Sequence, residues 1–205
     1  METNSNYSAP VGQSQIELKV KNSRFVGTAG PASSVESARE SIFSVRQNFS
    51  DAAHHCYAFS IGHGASVTQG MSDDGEPSGT AGRPMLAVVS GADIGDVFVV
   101  ASRYFGGTKL GTGGLVRAYS ETAKSALDAL EIQVKYETVL LHMILPYEYY
   151  DFCKARLLEM GSEIQSETYS SNVRIEVAII SDKIDVIQSM VKDITSGSAQ
   201  INLIR

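Results

Sequence analysis

Three carboxylates stand within four consecutive positions of a glycine-rich segment, residues 72–84 of the 205-residue chain, as Asp73, Asp74 and Glu76. Carboxylates at such close spacing can bind a divalent cation through their oxygens or act as a general base. The spacing does not match an EF-hand loop, which distributes its ligands over a longer segment. An acidic turn before a helix explains the same residues equally well, because the positive end of the helix dipole favours negative side chains.

A second glycine-rich segment, residues 103–119, runs from the end of a predicted strand into the start of a predicted helix. Free backbone N–H groups at a helix N-terminus bind phosphate or carboxylate. Arg103, Lys109 and Arg117 add positive charge to the same segment. It lacks the Lys-Ser/Thr pair of a P-loop and the third glycine of a dinucleotide-binding fingerprint. A glycine connection that only allows tight helix–strand packing is the alternative interpretation.

We predict that this second segment binds an anion or nucleic acid, with aromatic side chains that can stack on a base. The predicted binding residues are Arg103, Tyr104, Phe105, Gly106, Gly107, Lys109, Gly111, Gly113, Gly114 and Arg117. The first segment predicts a polar cleft, and its residues are His54, Asp73, Asp74, Glu76, Ser78 and Thr80. No catalytic residue, metal site or cofactor is assigned.

One histidine and one cysteine are weaker candidates for chemistry. His54 lies at the start of a predicted strand, where a single histidine is more often structural than catalytic. Cys56 follows two positions later and suggests a Cys/His nucleophile pair. This spacing does not supply the third group that orients such a pair, so the nucleophile interpretation stays weak.

Charge and composition narrow the classes of partner. The chain carries 17 Lys and Arg against 23 Asp and Glu, a net charge of −6. Non-specific DNA binders need a basic excess, so nucleic-acid contact requires a local basic patch. The two distant cysteines, Cys56 and Cys153, exclude a disulfide scaffold and a Cys-rich zinc site. Without a long apolar run or a secretory signal pattern, we expect a cytoplasmic protein that does not bind membranes.

The elements before residue 131 predict an α+β arrangement. A capping-box pattern at Ser33 and Glu36 precedes an amphipathic helix, and Pro84 fits the first turn of a second helix. The longest predicted helix covers residues 112–130. Strands are predicted at residues 15–21, 25–28, 55–61, 67–71 and 96–104. We therefore expect a polar tail over residues 1–14 and a first domain over residues 15–134.

The segment from residue 137 to residue 205 predicts a second domain. Strands are expected at residues 139–145, 163–169, 173–179 and 200–204, and a helix at residues 148–160 ends before Gly161. Ser181 is expected to cap a second helix that ends at Gly197. The order β-α-β-β-α-β is that of the ferredoxin-like split βαβ fold.

The two glycine-rich segments together resemble the YigZ/IMPACT family. Residues 73–82 read Asp-Asp-Gly-Glu-Pro-Ser-Gly-Thr-Ala-Gly, and residues 99–111 read Val-Val-Ala-Ser-Arg-Tyr-Phe-Gly-Gly-Thr-Lys-Leu-Gly. Residues 51–58 are similar to the family's Asp-Ala-x-His-x-Cys-x-Ala element. The resemblance covers residues 15–130, and the segment after residue 137 is similar to the second domain of bacterial YigZ-type members.

The resemblance implies a first domain like domain 2 of ribosomal protein S5 and a second domain like the last domain of a translocating elongation factor. Both folds occur in ribosome-associated and RNA-binding proteins, and IMPACT itself is a translational regulator. The first hypothesis is a non-enzymatic binding or regulatory protein whose basic loop contacts RNA, the ribosome or a translation-related protein. The alternative is an enzyme that acts on a phosphorylated or carboxylated small molecule through the acidic loop and His54. The resemblance implies no established catalytic activity.

Overall fold

The computed structural model describes residues 6–64 and 66–204. The chain divides into two compact units, one over Tyr7–Lys135 and one that combines Asn6 with the residues from Tyr136 onward. Both units combine β-sheet with α-helix, so the protein has a mixed α/β fold. Among the described residues, no helix is both long and apolar enough to cross a membrane.

The first unit is built on a five-stranded antiparallel sheet with the order β2-β3-β6-β4-β5. Its elements are β1 (Asn6–Pro10), β2 (Ser14–Val20), β3 (Ser23–Pro31), α1 (Val35–Asn48), β4 (His54–Ile61), β5 (Thr68–Ser72), α2 (Gly82–Gly91), β6 (Val97–Tyr104), α3 (Thr112–Asp128) and β7 (Ile132–Tyr136). The strands β1 and β7 pair as a separate two-stranded sheet.

Helices cover both faces of the five-stranded sheet. On one face, Met85 of α2 and Tyr119 of α3 pack with Phe25, and the Phe25 and Tyr119 rings meet edge to face at 5.2 Å. On the other face, Ile42 of α1 packs with Phe98 of β6. Residues 97–101 of β6 alternate between these two cores, and all five are apolar. The uninterrupted apolar run in β6 therefore follows from its central place in a sheet covered on both sides.

Three local predictions for the first unit need correction. The capping box of α1 is formed by Ser34 and Ser37, one residue beyond the predicted Ser33. The predicted polar tail over residues 1–14 contains β1 and the first residue of β2, while residues 1–5 lie outside the described residues. Strand β7 extends across residue 134, the predicted end of the first domain. Strands β1 and β7 are only five residues long, so the alternation of apolar and polar residues that predicts a strand is weak in both.

The second unit contains one four-stranded antiparallel sheet with the order β11-β8-β10-β9. Its elements are β8 (Thr138–Leu145), α4 (Tyr147–Glu159), β9 (Glu163–Tyr169), β10 (Val173–Ile180), α5 (Ile184–Ile194) and β11 (Gln200–Ile204). Leu157 of α4 and Ile187 of α5 pack on one core with Met143 and Ile175 of the sheet. The six elements follow one another in the predicted order.

The predicted N-cap of the last helix is wrong. Ser181 belongs to a short 3-10 turn before α5, and its hydroxyl donates to the Glu137 carbonyl oxygen instead. The helix ends at Ile194, before the predicted Gly197. Gly197 has a φ of +79° and its amide donates to the Lys192 carbonyl oxygen, so it closes the turn that follows the helix.

Candidate functional site

A buried ion pair connects the two glycine-rich segments. Nη1 of Arg103, at the end of β6, lies 2.5 Å from Oε1 of Glu76 in the loop before α2. The Tyr119 hydroxyl of α3 donates to the same oxygen at 2.7 Å. Arg103 is only 5% exposed and Glu76 only 8%. The positive charge predicted to bind an external anion is therefore compensated inside the protein, whereas Lys109 and Arg117 of the same segment are exposed.

Asp73 caps the N-terminus of α2. Its carboxylate accepts hydrogen bonds from the amides of Gly79, Ala81 and Gly82 at 2.8 to 3.0 Å. Burial by itself raises the pKa of the Asp73 carboxyl, but these three amide donors outweigh it and hold the pKa below its ordinary value. Asp73 therefore acts as the helix-start residue that the acidic-turn interpretation describes.

Asp74 joins the acidic loop to α1 and β4. One carboxylate oxygen lies 2.5 Å from Nη2 of Arg46, and the other accepts from the His55 amide at 2.6 Å. The backbone of Asp74 has a φ of +41°, a left-handed conformation that Asp tolerates better than most residues. Sequence reasoning missed Arg46, because it lies in a helix that no predicted motif connects to this loop.

His54 lies close to Asp74 and Glu76 but does not form a hydrogen-bonded catalytic dyad or triad with them. Its Nδ1 is 2.8 Å from the Asp74 carbonyl oxygen, so this nitrogen carries the donated proton. Its Nε2 is 3.9 Å from Oε1 of Glu76, which exceeds hydrogen-bond distance. The structure thus brings His54 close to Asp74 and Glu76, and the Glu76 amide donates to the Asp73 carbonyl oxygen at 2.9 Å, but no hydrogen bond joins His54 to Glu76.

The remaining residues of the predicted cleft serve local structure or face solvent. The Thr80 hydroxyl donates to the Pro77 carbonyl oxygen at 2.7 Å, and Ser78 is exposed. Over the described part of the chain, no group of three or more His, Cys, Asp or Glu side chains is arranged to hold a metal ion. The Asp73 and Asp74 carboxylates instead accept hydrogen bonds from backbone amides and from Arg46.

Cys56 does not form the Cys/His nucleophile pair. The residue is fully buried, and its thiol donates to the Asp73 carbonyl oxygen at 3.0 Å. Burial raises the pKa of the Cys56 thiol to about 12, which keeps it protonated at neutral pH. A nucleophile needs the thiolate and access to substrate, and Cys56 has neither.

The glycine loop between β6 and α3 is fixed at one end and open at the other. A side-chain carbon on Gly106 would lie 1.9 Å from the Asn22 carbonyl oxygen, so only glycine fits against the turn from β2 to β3. At the far end, Gly111 has a φ of +78° and no side chain caps α3. Apart from its chain neighbours and the backbone of α3 itself, no atom lies within 4 Å of the position that a side-chain carbon on Gly113 would occupy. This end of the loop therefore leaves backbone accessible.

The aromatic residues of the basic segment differ in availability. Tyr104 donates to Asp51 at 2.7 Å, and the guanidinium carbon of Arg24 lies 4.1 Å from its ring centre. Phe105 is 53% exposed, with Arg103 5.5 Å from its ring centre. Phe105 is thus the aromatic side chain of this segment with a face free to stack on a ligand.

Basic side chains near the loop remain uncompensated. Lys21, Lys109 and Arg117 form no salt bridge with any described residue. Lys21 comes from the turn between β2 and β3, and sequence reasoning missed it because this turn reaches the loop only through the pairing of β3 with β6. Correct prediction of the antiparallel strand order would have placed Lys21 next to the loop.

Both glycine-rich segments lie within a domain that is known from other proteins. The sequence profile of the Impact N-terminal domain matches residues 21–127, a range that includes both glycine-rich segments. The chain belongs to the IMPACT family. It is 37% identical over 195 residues to the IMPACT family member YigZ of Escherichia coli (strain K12), with 94% of this chain and 95% of the relative covered. This confirms the resemblance.

Two further matches extend over nearly the whole chain. An IMPACT family member of Haemophilus influenzae is 34% identical over 199 residues, which covers 97% of each chain. A crystal structure of a hypothetical protein is similar with a TM-score of 0.80 at 34% identity, and the match covers 98% of both chains. Both units of the fold therefore have counterparts in known proteins.

Proposed function

We propose that this IMPACT family protein is a non-enzymatic module that binds RNA phosphates and acts in translation. The binding site is the basic glycine loop, defined as residues 105–114, which leads into α3. The proposal depends on one observation: the loop exposes an uncapped helix N-terminus next to Lys21, Lys109 and Arg117, whose charges are not compensated by described residues.

The chemistry of this site suits a phosphate. The first N–H groups of a helix have no partner within the helix, and the dipole of the 17-residue α3 makes its start positive. The open space at Gly113 lets an oxyanion approach the backbone. Lysine and arginine side chains at the rim add attraction that acts at longer range. A phosphodiester chain offers the repeated charge that several such groups can bind at once.

Two fold assignments favour RNA or the ribosome as the partner. We infer that the second unit is ferredoxin-like, since its first and third strands are central and all strand pairs are antiparallel. We also infer that the first unit resembles domain 2 of ribosomal protein S5. The assignment to translation, and with it to the cytoplasm, rests on these folds and on the family.

An enzyme acting on a phosphorylated or carboxylated small molecule is supported less well. Such an enzyme needs a carboxylate that is free to accept or give a proton. Asp73 and Asp74 are engaged by backbone amides and Arg46, and Glu76 by Arg103 and Tyr119. The observation in its favour is His54 Nε2, which lies 3.9 Å from Glu76 Oε1 and, because Nδ1 carries the proton, has a lone pair that can accept a hydrogen bond from a ligand.

The test compares Lys109→Ala with a matched control, Lys19→Ala. Lys19 is exposed on β2 between Leu18 and Val20, which pack toward α3, so it faces the opposite side of the sheet. The probe is single-stranded RNA of mixed sequence, and its dissociation constant is measured by fluorescence anisotropy over a series of salt concentrations.

We expect Lys109→Ala to weaken binding and to reduce the salt slope by about 0.7 to 1, the contribution of one phosphate contact. Lys19→Ala should bind as the unmodified protein does, and both variants should keep the melting temperature, because exposed lysines contribute little to stability. RNA binding that Lys109→Ala leaves unchanged at every salt concentration would place the site elsewhere. The absence of any RNA binding would refute the proposal.

A further inference from the structure

A cavity of about 630 Å³ adjoins the basic glycine loop. It lies between the turn from β2 to β3 and the first half of α3, and Leu110 and Gly114 belong to both the cavity wall and the loop. Val20 and Val116 supply further apolar wall. Its volume falls within the range of small-molecule sites. A site for phosphate alone needs no apolar cavity, because the phosphate group presents only charged oxygens.

Charged groups at this cavity are of both signs. Lys21 and Arg117 line it as cations, and Glu121 lines it as an anion one helical turn beyond Arg117. Glu121 forms no salt bridge with the described residues. Lys21 has a φ of +52°, a conformation unfavourable for lysine, and it nevertheless occupies this wall. A ligand here must therefore combine negative charge with an apolar body and a hydrogen-bond donor.

We propose that this cavity holds an unpaired base of single-stranded RNA that carries an exocyclic amino group (cytosine, adenine or guanine), while the neighbouring phosphates contact Lys21, Arg117 and the basic glycine loop. The inference rests on the proposed function. A base has an apolar face for Val20, Leu110 and Val116, and an exocyclic amino group can donate to the Glu121 carboxylate. Uracil has no amino group, and its N3–H donor lies between two carbonyl oxygens that the Glu121 carboxylate repels, so Glu121 disfavours uracil.

The same arrangement selects single strands. A base in a duplex is stacked and paired, whereas bases in single strands can turn out and enter protein pockets. The exposed ring of Phe105, at the opposite end of the loop, offers a second stacking surface for the next part of the chain. The proposed ligand is therefore single-stranded RNA with at least one accessible base that carries an amino group.

The experiment measures the binding of three labelled strands of equal length: oligocytidylate, oligouridylate and an abasic ribose–phosphate strand. All three carry the same phosphates. We expect oligocytidylate to bind about tenfold more tightly than the abasic strand, the effect of one stacked base, and oligouridylate to fall between them. Glu121→Ala should remove the preference for cytidylate over uridylate. Val116→Ser should weaken oligocytidylate binding and leave the abasic strand unaffected.

The control variant is Val134→Ser, since Val134 is an exposed valine of β7 outside the cavity wall. Melting curves of all variants verify that each is folded. Equal binding of the cytidylate and abasic strands, with Lys109→Ala still weakening both, would overturn the base pocket and leave the phosphate site intact. Binding of no strand would overturn the proposed function itself. Cytidylate binding that is unchanged by Val116→Ser and Glu121→Ala would also refute the pocket.

Discussion

Arg103 and Glu76 form an ion pair in the interior of the first unit, with both side chains more than nine-tenths buried. Their 2.5 Å contact joins the end of β6 to the loop before α2, and Tyr119 adds α3 to the same carboxylate. Burying a charge is costly unless a partner compensates it. These two residues therefore stabilise each other, and neither charge is free to act on a ligand.

Replacement of Arg103 by methionine should strongly destabilise the first unit. Arg103→Met keeps most of the side-chain volume but leaves Glu76 buried without its cation, and we expect a loss of about 3 to 5 kcal/mol in the free energy of unfolding. Denaturant titration measures this loss. The double variant Arg103→Met with Glu76→Leu should recover a large part of it. A single variant as stable as the unmodified protein would contradict the buried pair.

Acid should weaken the attachment of β1 and β7 through Asp96. Its carboxylate accepts from the Gly62 amide at 2.9 Å, from the Tyr7 hydroxyl at 2.7 Å and from Lys135. Burial alone raises the pKa of Asp96, but these donors outweigh it, so the pKa in the folded protein lies below the ordinary value. Asp96 therefore contributes stability above the ordinary carboxyl pKa, and this contribution disappears as the pH falls through the lowered value.

Asp96→Asn tests this pH dependence. We expect the variant to lose about 1 to 3 kcal/mol of unfolding free energy at neutral pH, the worth of hydrogen bonds to a charged group. The difference from the unmodified protein should shrink as the pH is lowered toward about 3. Asp128→Asn, at an exposed position of α3, is the control and should change little. A difference that is constant with pH would contradict the assigned role of the charge.

The two cysteines should be unreactive in the native protein. Cys56 and Cys153 are fully buried, and burial raises the thiol pKa of both, that of Cys56 to about 12. A thiol reagent such as Ellman's reagent should label neither residue at neutral pH until denaturant is added, after which both react. Rapid labelling of Cys56 in the folded protein would restore it as a candidate nucleophile.

Substitution by alanine should lower stability at one glycine of the basic segment and maintain or raise it at another. Gly106→Ala places a methyl group 1.9 Å from the Asn22 carbonyl oxygen, so the backbone must move, at a cost of about 1 to 3 kcal/mol. Gly113→Ala lies within α3 and, apart from its chain neighbours and the backbone of that helix, meets no atom within 4 Å, so stability should stay the same or rise by up to about 1 kcal/mol. Thermal melts of the two variants measure this difference directly. Equal melting temperatures would show that the loop adapts around Gly106.

Short-range patterns were enough to predict most elements of the fold. The alternation of Val173, Ile175, Val177 and Ile179 marks β10, and the glycines before Thr112 mark the start of α3. These patterns reflect interactions between residues that are close in the chain. The cap of α1 shows the limit of such local patterns. Ser33 and Ser34 are both suitable N-cap residues by type, and only the backbone geometry of the folded chain places Ser34 at the N-cap.

The membership of the candidate site was decided by the tertiary structure. Asp73, Asp74 and Glu76 are adjacent in the chain, yet one caps α2, one contacts Arg46 of α1, and one is buried against Arg103 of β6. Lys21 reaches the glycine loop because β3 lies between β2 and β6 in the sheet. Such pairings join residues far apart in sequence and depend on strand order, which local periodicity does not specify. The sequence therefore identifies which side chains are charged. Whether such a side chain is buried against a partner or exposed to solvent is determined only when the sheet and helices assemble.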